Sequence, residues 1–476
     1  MYQIKMGKAN SHHTIMSRHN DLKTIMYFQK QIIKVTLLAA FFLSCTISAA
    51  QIIRPERLDS LFDHLEQYNQ SVGNISIFKD GKEVYNRSFG QRHIAGLSFD
   101  EHTSYQVGSV TKLATSVLLW KMVEQGKVSL DERLSTYFPD IPNAHMITLN
   151  QILSHNSGLG NYVNNGTTEG WMIEKTSADS ILAFIHSEKP LFEPGTGFQY
   201  SNSGFYLLTR IVEKLYNKTY GQLIEEEIAK PLELTDFKSF DNYNDNRFTS
   251  YVYIRNWEDM TDFYFQNIIG VGDIVATPRD LNRFMEGLFA GKLVKKETLE
   301  KMKGDKANNG FGKGFMYIPY KGNTFLGHGG DTRGTHTLTG YNDKDKITFS
   351  IAINGQRWER NQVYIASLST IYETELRLAE FETNVIKLSS QQLSQYEGRY
   401  FNEDDPLIIN IFQHEGELFG QADGQDAFPL TCYSKDKFMF DGAQIYMDFT
   451  PAQDSMYYKQ GSVKINFKRQ KTEAGQ

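Results

Sequence analysis

Cysteine is almost absent from this chain. Its 476 residues include two, Cys45 and Cys432, and Cys45 lies in an N-terminal apolar run that reads as a removable signal, so the mature protein is expected to have no internal disulfide. Charge of one sign is also missing. Acidic and basic residues are interspersed and the net charge is only −6, so no basic patch argues for nucleic acid and no acidic tail argues for disorder. Repeats and low-complexity segments are lacking. So are Gly-x-Ser-x-Gly and His-Glu-x-x-His, which excludes the nucleophile-elbow and zinc-helix hydrolase designs.

What remains is ordinary for a globular protein with a large core: 40% hydrophobic and 22% charged residues. Length suggests two or three domains. The run from Val35 to Ile47 follows Lys30 and Lys34 and precedes the small residues Ser48-Ala49-Ala50. It has signal-peptide proportions and is too short for a comfortable membrane span. Met26 to Ala50 alone makes a complete signal, which points to Met26 as the start. Export to the periplasm or outside the cell is the expectation, with membrane attachment only if Cys45 is lipidated.

The chain then divides into a main domain over 51–382, a polar linker over 383–395 and a small β domain over 396–476. Pro55 to Tyr68 spaces Leu58, Leu61, Phe62 and Leu65 as an amphipathic helix. Asn74 to Phe89 alternates around Asp80-Gly81, a hairpin signal. From Ser109 to about Phe289 most periodic segments read as helices, Phe311 to Asn354 returns to strands, and Val363 to Phe381 reads as a final helix. Strands at both ends and helices between them predict a sheet lobe interrupted by a helical lobe. Beyond the linker, Leu407–Phe412, Glu417–Gly420, Lys437–Asp441, Ile445–Phe449 and Val463–Phe467 read as short strands of an all-β unit.

Ser109-Val110-Thr111-Lys112 opens the apolar helix Leu113-Ala114-Thr115-Ser116-Val117-Leu118-Leu119-Trp120. On a helix, residues three apart share a face, so Ser109 and Lys112 can meet. Serine needs an adjacent base to be a nucleophile at neutral pH, and lysine serves only if burial lowers its pKa. The same four-residue pattern recurs at Ser76–Lys79 and Ser434–Lys437. On the strand at Ser76 the two side chains face opposite ways, and Ser434–Lys437 reads as a polar turn. Only Ser109 has helical context.

Two further stretches complete a constellation. Tyr200-Ser201-Asn202 opens a second apolar helix. Tyr200 can share a proton with Ser109, as phenol or phenolate, and Asn202 can bind a carbonyl or hold Lys112. Gly327-His328-Gly329-Gly330-Asp331 ends an apolar strand, where glycines let a substrate backbone approach and His328 can donate or relay a proton. Taken singly, each of these residues is more often structural, as His155 is expected to be in the turn Ser154-His155-Asn156-Ser157-Gly158-Leu159. The ordered set is what points to a site.

In that order the three stretches resemble the motifs of the serine β-lactamase-like family, which includes class C β-lactamases, DD-carboxypeptidases, D-aminopeptidases and family VIII-type esterases. Ile152 to Leu159 and Ala276 to Leu281 add to the likeness, which spans roughly Ile52 to Phe381. The resemblance implies an α+β fold, an antiparallel sheet lobe with an inserted helical lobe, and a C-terminal appendage similar to small lipocalin-like barrels. It implies an acyl-enzyme formed on Ser109, with Lys112 and Tyr200 handling the proton and His328 in the third motif. Asn202, Gly329, Gly330 and Asp331 would bind substrate, with the backbone N–H groups of Ser109 and Asp331 as oxyanion hole. No metal or organic cofactor is implied. The expected partner is a small molecule or peptide, D-amino-acid peptides first and peptidoglycan-derived ones among them; β-lactams and small esters are the alternatives. A non-catalytic penicillin-binding sensor is the reading of another class. His328 in place of the lysine usual in class C β-lactamases weakens a fixed positive charge for a substrate carboxylate.

Overall fold

Pro55 at the first turn and apolar residues three and four apart set up an amphipathic helix. It forms as α1, Pro55–Gln67, and buries Leu58, Leu61, Phe62 and Leu65. The hairpin follows as β1, Ser71–Lys79, and β2, Lys82–Phe89. Asp80 and Gly81 take φ of 51° and 74°, the left-handed turn whose twist suits the flanking strands. The structure is a computed structural model describing residues 53–470 apart from 95–99, 165–172, 241–248, 261–263, 373–375 and 382–384. The predicted signal and Cys45 lie outside the described residues, and among those described no helix is long and apolar enough to cross a membrane.

The chain next contributes β3, Tyr105–Gln106, and the helical lobe: α2, Thr111–Glu124, α3, Leu149–Leu153, α4, Ala178–Ser187, α5, Asn202–Tyr216, and α6, Tyr220–Ile224. Helix α2 has almost no polar face and is enclosed along most of its length, from Thr111 to Trp120 and again at Met122. A helix apolar all round belongs in the middle of a core, and here Val117, Leu118 and Leu119 pack with Phe205, Leu208 and Ile211 of α5 in one cluster. The reading of this region as helical misses short strands. These are β4, Phe237–Ser239, β5, Tyr251–Tyr253, β6, Trp257–Asp259, and β7, Ile274–Ala276. Strand β7 pairs with β3 and β4 in a small sheet beneath the lobe. Three-residue strands carry too little alternation to show in sequence.

After α7, Pro278–Phe289, and α8, Lys296–Lys303, the chain returns to the main sheet with β8, Met316–Tyr320, β9, Asn323–Asp331, β10, His336–Asn342, and β11, Ile347–Gln356. The order β2-β1-β11-β10-β9-β8 places the first and last strands of the domain side by side. Alternation sorts the two faces. Ile75, Ile77, Ile351 and Ile353 join α1 and α9, Arg360–Tyr372, in one apolar cluster. On the other face α7 lies along the sheet, where Asn282 accepts from Ser350 and donates to Ser76. Ser76 is thereby engaged away from Lys79, which reaches the Asp345 carbonyl.

Helix α9 runs from Arg360 to Tyr372, starting earlier and ending sooner than the predicted Val363 to Phe381. The chain beyond Leu376 is not helical; it turns back over α1, where His64 Nε2 donates to the Ala379 carbonyl and Phe381 packs on Tyr68 and Trp358. Apolar spacing alone does not tell such a packed return from another helical turn. The stretch described around the predicted linker includes a short capped helix α10, Ser390–Leu393.

The C-terminal unit is a closed antiparallel barrel of β12, Gly398–Asn402, β13, Asp405–His414, β14, Glu417–Ala422, β15, Phe428–Ser434, β16, Lys437–Phe440, β17, Ile445–Thr450, β18, Ser455–Gln460, and β19, Val463–Arg469. Closure removes every edge strand. The sequence reading found five of these strands. It missed β12, β15 and β18, in which Tyr400, Pro429 and Lys459 blur the alternation. Ser434 and Lys437 face each other across the β15–β16 turn, and Cys432 is buried in the barrel. The barrel meets the sheet lobe through Arg357, which pairs with Asp441 and lies 4.1 Å over the Tyr253 ring.

Candidate active site

Ser109 stands in a short 3-10 turn, Gly108–Val110, directly ahead of α2. The turn exists because two glycines let it press against the end of β9. Gly108 has φ +52°, and a Cβ there would lie 2.7 Å from the Asp331 nitrogen. A Cβ on Gly330 would meet the Val107 carbonyl oxygen at 1.9 Å and the Ser109 nitrogen at 2.8 Å. Gly330 is therefore a packing requirement of the Ser109 turn, whereas Gly329 faces the open cleft. Strand β8 pairs with β9 only as far as Gly327, so the His328–Asp331 edge is left for the turn and the cleft.

Lys112 is wholly buried. Its Nζ lies 3.0 Å from Ser109 Oγ and donates to the Val271 carbonyl at 2.8 Å. Burial pushes its pKa well below the usual lysine value, against a smaller opposing effect of Asp273. An amine whose pKa is lowered in this way, beside a serine hydroxyl, is placed to act as a base. The loop that supplies the carbonyl is clasped by one face of α2: Thr111 Oγ1 accepts from the Ile274 N–H, and Thr115 donates to the Gly270 carbonyl.

Tyr200 comes from the turn into α5. The Gln199 N–H donates to the His155 carbonyl and the Ser201 N–H to His155 Nδ1, so Tyr200 is held from both sides. The His155 ring packs 4.5 Å from the Tyr200 ring, the anchoring role expected of it. Lys112 Nζ sits 5.2 Å from the Tyr200 ring centre. The Tyr200 hydroxyl is buried and makes no hydrogen bond of good geometry. Desolvation raises its pKa, and the nearby Ser109 side chain draws it down less. Tyr200 is a phenol at neutral pH, which decides between the two forms left open above.

His328 is 4% exposed. Its Nδ1 donates to the Gly329 carbonyl, leaving Nε2 as an acceptor. Burial depresses its pKa to about 4, so the ring is neutral at physiological pH and no fixed cation stands at this position. The unfolded chain, with a histidine near its ordinary 6.5, binds the extra proton first. Stability present above pH 6.5 is therefore lost as pH falls toward 4. Urea midpoints at pH 7 and pH 5 are expected to separate more in the wild type than in His328→Gln; equal separation would refute this titration.

Asn202 donates to Asn161 at 2.8 Å and does not hold Lys112. Asp331 turns its carboxylate to His336, 2.6 Å away, and to Arg360 at 3.4 Å. Burial works against that carboxylate, but these partners keep its pKa below the usual range. Ser109, Tyr200, Asn202, His328, Gly329, Gly330 and Asp331 all line one cleft of about 750 Å³. Its far wall is apolar, with Met316, Ile318, Tyr364 and Ile365. Among the described residues none of its lining comes from the barrel, and no His, Cys, Asp and Glu group is arranged to hold a metal ion.

The Tyr-x-Asn spacing of Tyr200 and Asn202 recurs at Tyr162 and Tyr400, and both of those tyrosines are engaged elsewhere. Tyr162 donates to the Asn267 carbonyl and Tyr400 to the Tyr396 carbonyl inside the barrel. Sequence reading missed Val271, Asp273, His336 and Arg360. The first acts through its carbonyl, which any residue could supply; Gly270-Val271-Gly272-Asp273, a glycine-rich turn before a strand, was the available signal for the loop.

A family model described as Beta-lactamase matches residues 58–369. A penicillin-binding protein of Bacillus subtilis (strain 168) is 23% identical over 443 residues, covering 86% of this chain and 97% of its own. The teichoic acid D-alanine hydrolase of Staphylococcus aureus is 21% identical over 305 residues, 62% of this chain and 75% of that one. The crystal structure of D-amino acid amidase from Ochrobactrum anthropi SV3 superposes with a TM-score of 0.59 at 21% identity, over 67% of this chain and 98% of the amidase.

Proposed function

The chain belongs to the beta-lactamase family, and from that premise we propose that it is a serine hydrolase working through an acyl-enzyme on amide, peptide or ester bonds, D-amino-acid compounds first among them. The observation that carries this reading is the Ser109–Lys112 contact at 3.0 Å, with the lysine held out of water. Lys112 takes the hydroxyl proton as Ser109 Oγ attacks the substrate carbonyl. The N–H groups of Ser109 and Asp331 receive the oxyanion. Tyr200, a phenol, passes its proton to the departing amine or alkoxide and regains one from the Lys112 ammonium. Water, giving up a proton along the same path in reverse, then releases the acyl group and restores Ser109.

Relatives that hydrolyse D-alanine from teichoic acid or D-amino acid amides favour D-amino-acid substrates. A neutral His328, and an Arg360 already paired with Asp331, weigh against carboxylate-bearing β-lactams as preferred substrates. The apolar wall, where Ile365 is 47% exposed, favours small esters as the second reading. Export, read from the N-terminal signal, is part of the same proposal.

A fluorophosphonate probe is expected to add once to the wild type and not to Ser109→Ala, as read by intact mass. An unlabelled wild type would end the nucleophile assignment and revive a non-catalytic binder. With labelling in hand, D-alanine amide and D-phenylalanine amide should be cleaved faster than their L forms; equal rates would remove the stereochemical part of the proposal.

A further inference from the structure

Beneath the site lies a carboxylate that the acyl-transfer steps do not use. Asp273 is fully buried. It accepts the Gly270 N–H at 2.6 Å and the Ser239 hydroxyl from β4, closing the turn Gly270-Val271-Gly272 on itself. Gly270 has φ +73°, and a Cβ there would strike Thr209 Oγ1 at 1.9 Å, so this conformation of the turn requires glycine there. That conformation aims two consecutive carbonyls at α2, Gly270 to Thr115 and Val271 to Lys112.

We propose that Asp273 is a positioning residue of the hydrolase: it holds the Val271 carbonyl against Lys112 and, through its charge, sets how readily Lys112 takes up the Ser109 proton. The inference rests on the Ser109–Lys112 reading. A base whose pKa falls too far cannot keep the proton it removes, and full burial drives a lysine that way. A buried anion nearby is the remedy. The groups acting on Asp273 from its surroundings are Lys112 on α2, Arg210 on α5, Tyr220 on α6, Tyr162 and Ser239. Burial pushes the Asp273 carboxyl up to about 7, while the Ser239 and Gly270 bonds and Arg210 pull it down. Asp273 in turn raises Lys112. Two interacting ionisable groups thus stand where one base is needed.

The experiment is the pH dependence of the second-order rate of fluorophosphonate labelling, which reads the nucleophilicity of Ser109 without requiring a known substrate. Asp273→Asn keeps an acceptor for Gly270 and removes the charge. Its acid-side midpoint is expected about one pH unit below that of the wild type, with the plateau rate within about tenfold. Ser239→Ala, which leaves Asp273 easier to protonate, should move the midpoint the same way by less, and it stands in if Asp273→Asn does not fold. An unchanged midpoint, whether the plateau holds or drops, would overturn the charge-setting role, since a purely structural defect lowers the rate at every pH alike. Failure of the underlying reading looks different: the wild type would not label, or Ser109→Ala would label equally.

Discussion

Lys112→Met is expected to lower Ser109-dependent labelling and hydrolysis by about a thousandfold while leaving thermal stability equal or higher. Lysine is a poor choice for a wholly enclosed position. It is held there by one carbonyl and one hydroxyl, and methionine fills a similar unbranched volume without a polar head to desolvate. If Lys112 served the fold, its loss would cost stability. If it serves chemistry, the loss appears in rate alone, the usual sign of a group kept for function at the expense of stability. Labelling kinetics and a melting curve on the same preparation separate the two. A Lys112→Met protein that labels normally would sink the assignment of Lys112 as base.

Gly330→Ala is expected to damage both fold and activity. Its Cβ would sit 1.9 Å from the Val107 carbonyl oxygen, a backbone atom that cannot rotate aside. Either β9 leaves its register with β10 or the Ser109 turn withdraws. Overpacking of this kind costs about 3 kcal/mol, and a displacement of about 1 Å at the reacting atoms lowers rate about a hundredfold. Gly329→Ala is the control, because the nearest atom to its Cβ is 3.7 Å away on the flexible Met316 side chain. Denaturant midpoints should fall for Gly330→Ala and barely move for Gly329→Ala. Similar midpoints for the two would show that the strand end yields where the geometry says it cannot.

Much of the main domain was legible before its structure. Helix α1 and the first hairpin follow from spacing and from Asp80-Gly81, because local rules there agree with the tertiary packing. The overlong final helix has another cause: apolar residues that pack on a neighbour rather than on their own element carry no period. In β12, β15 and β18 it is tyrosine, proline and lysine that blur the alternation.

The site divides along the same line. Ser109 and Lys112 are neighbours in sequence, so helical spacing alone could place them together, and context could dismiss Ser76 and Ser434. Tyr200 and His328 were found by order and resemblance, since no local rule joins residues so far apart. Whether Asn202 would touch Lys112 was beyond sequence; it holds Asn161 instead.

By itself the sequence determined the meeting of Ser109 and Lys112, the sheet–helix–sheet order and the appended β unit, because each is written in contacts or periodicities within a few residues. Only the tertiary structure decided the protonation of the site. Burial lowers the pKa of Lys112, makes His328 neutral and keeps Tyr200 a phenol. Folding also brings the Val271 carbonyl, in the turn that Asp273 closes, up against Lys112 of α2. Desolvation depends on everything packed around a group, from all parts of the chain at once, and so no stretch of sequence states it.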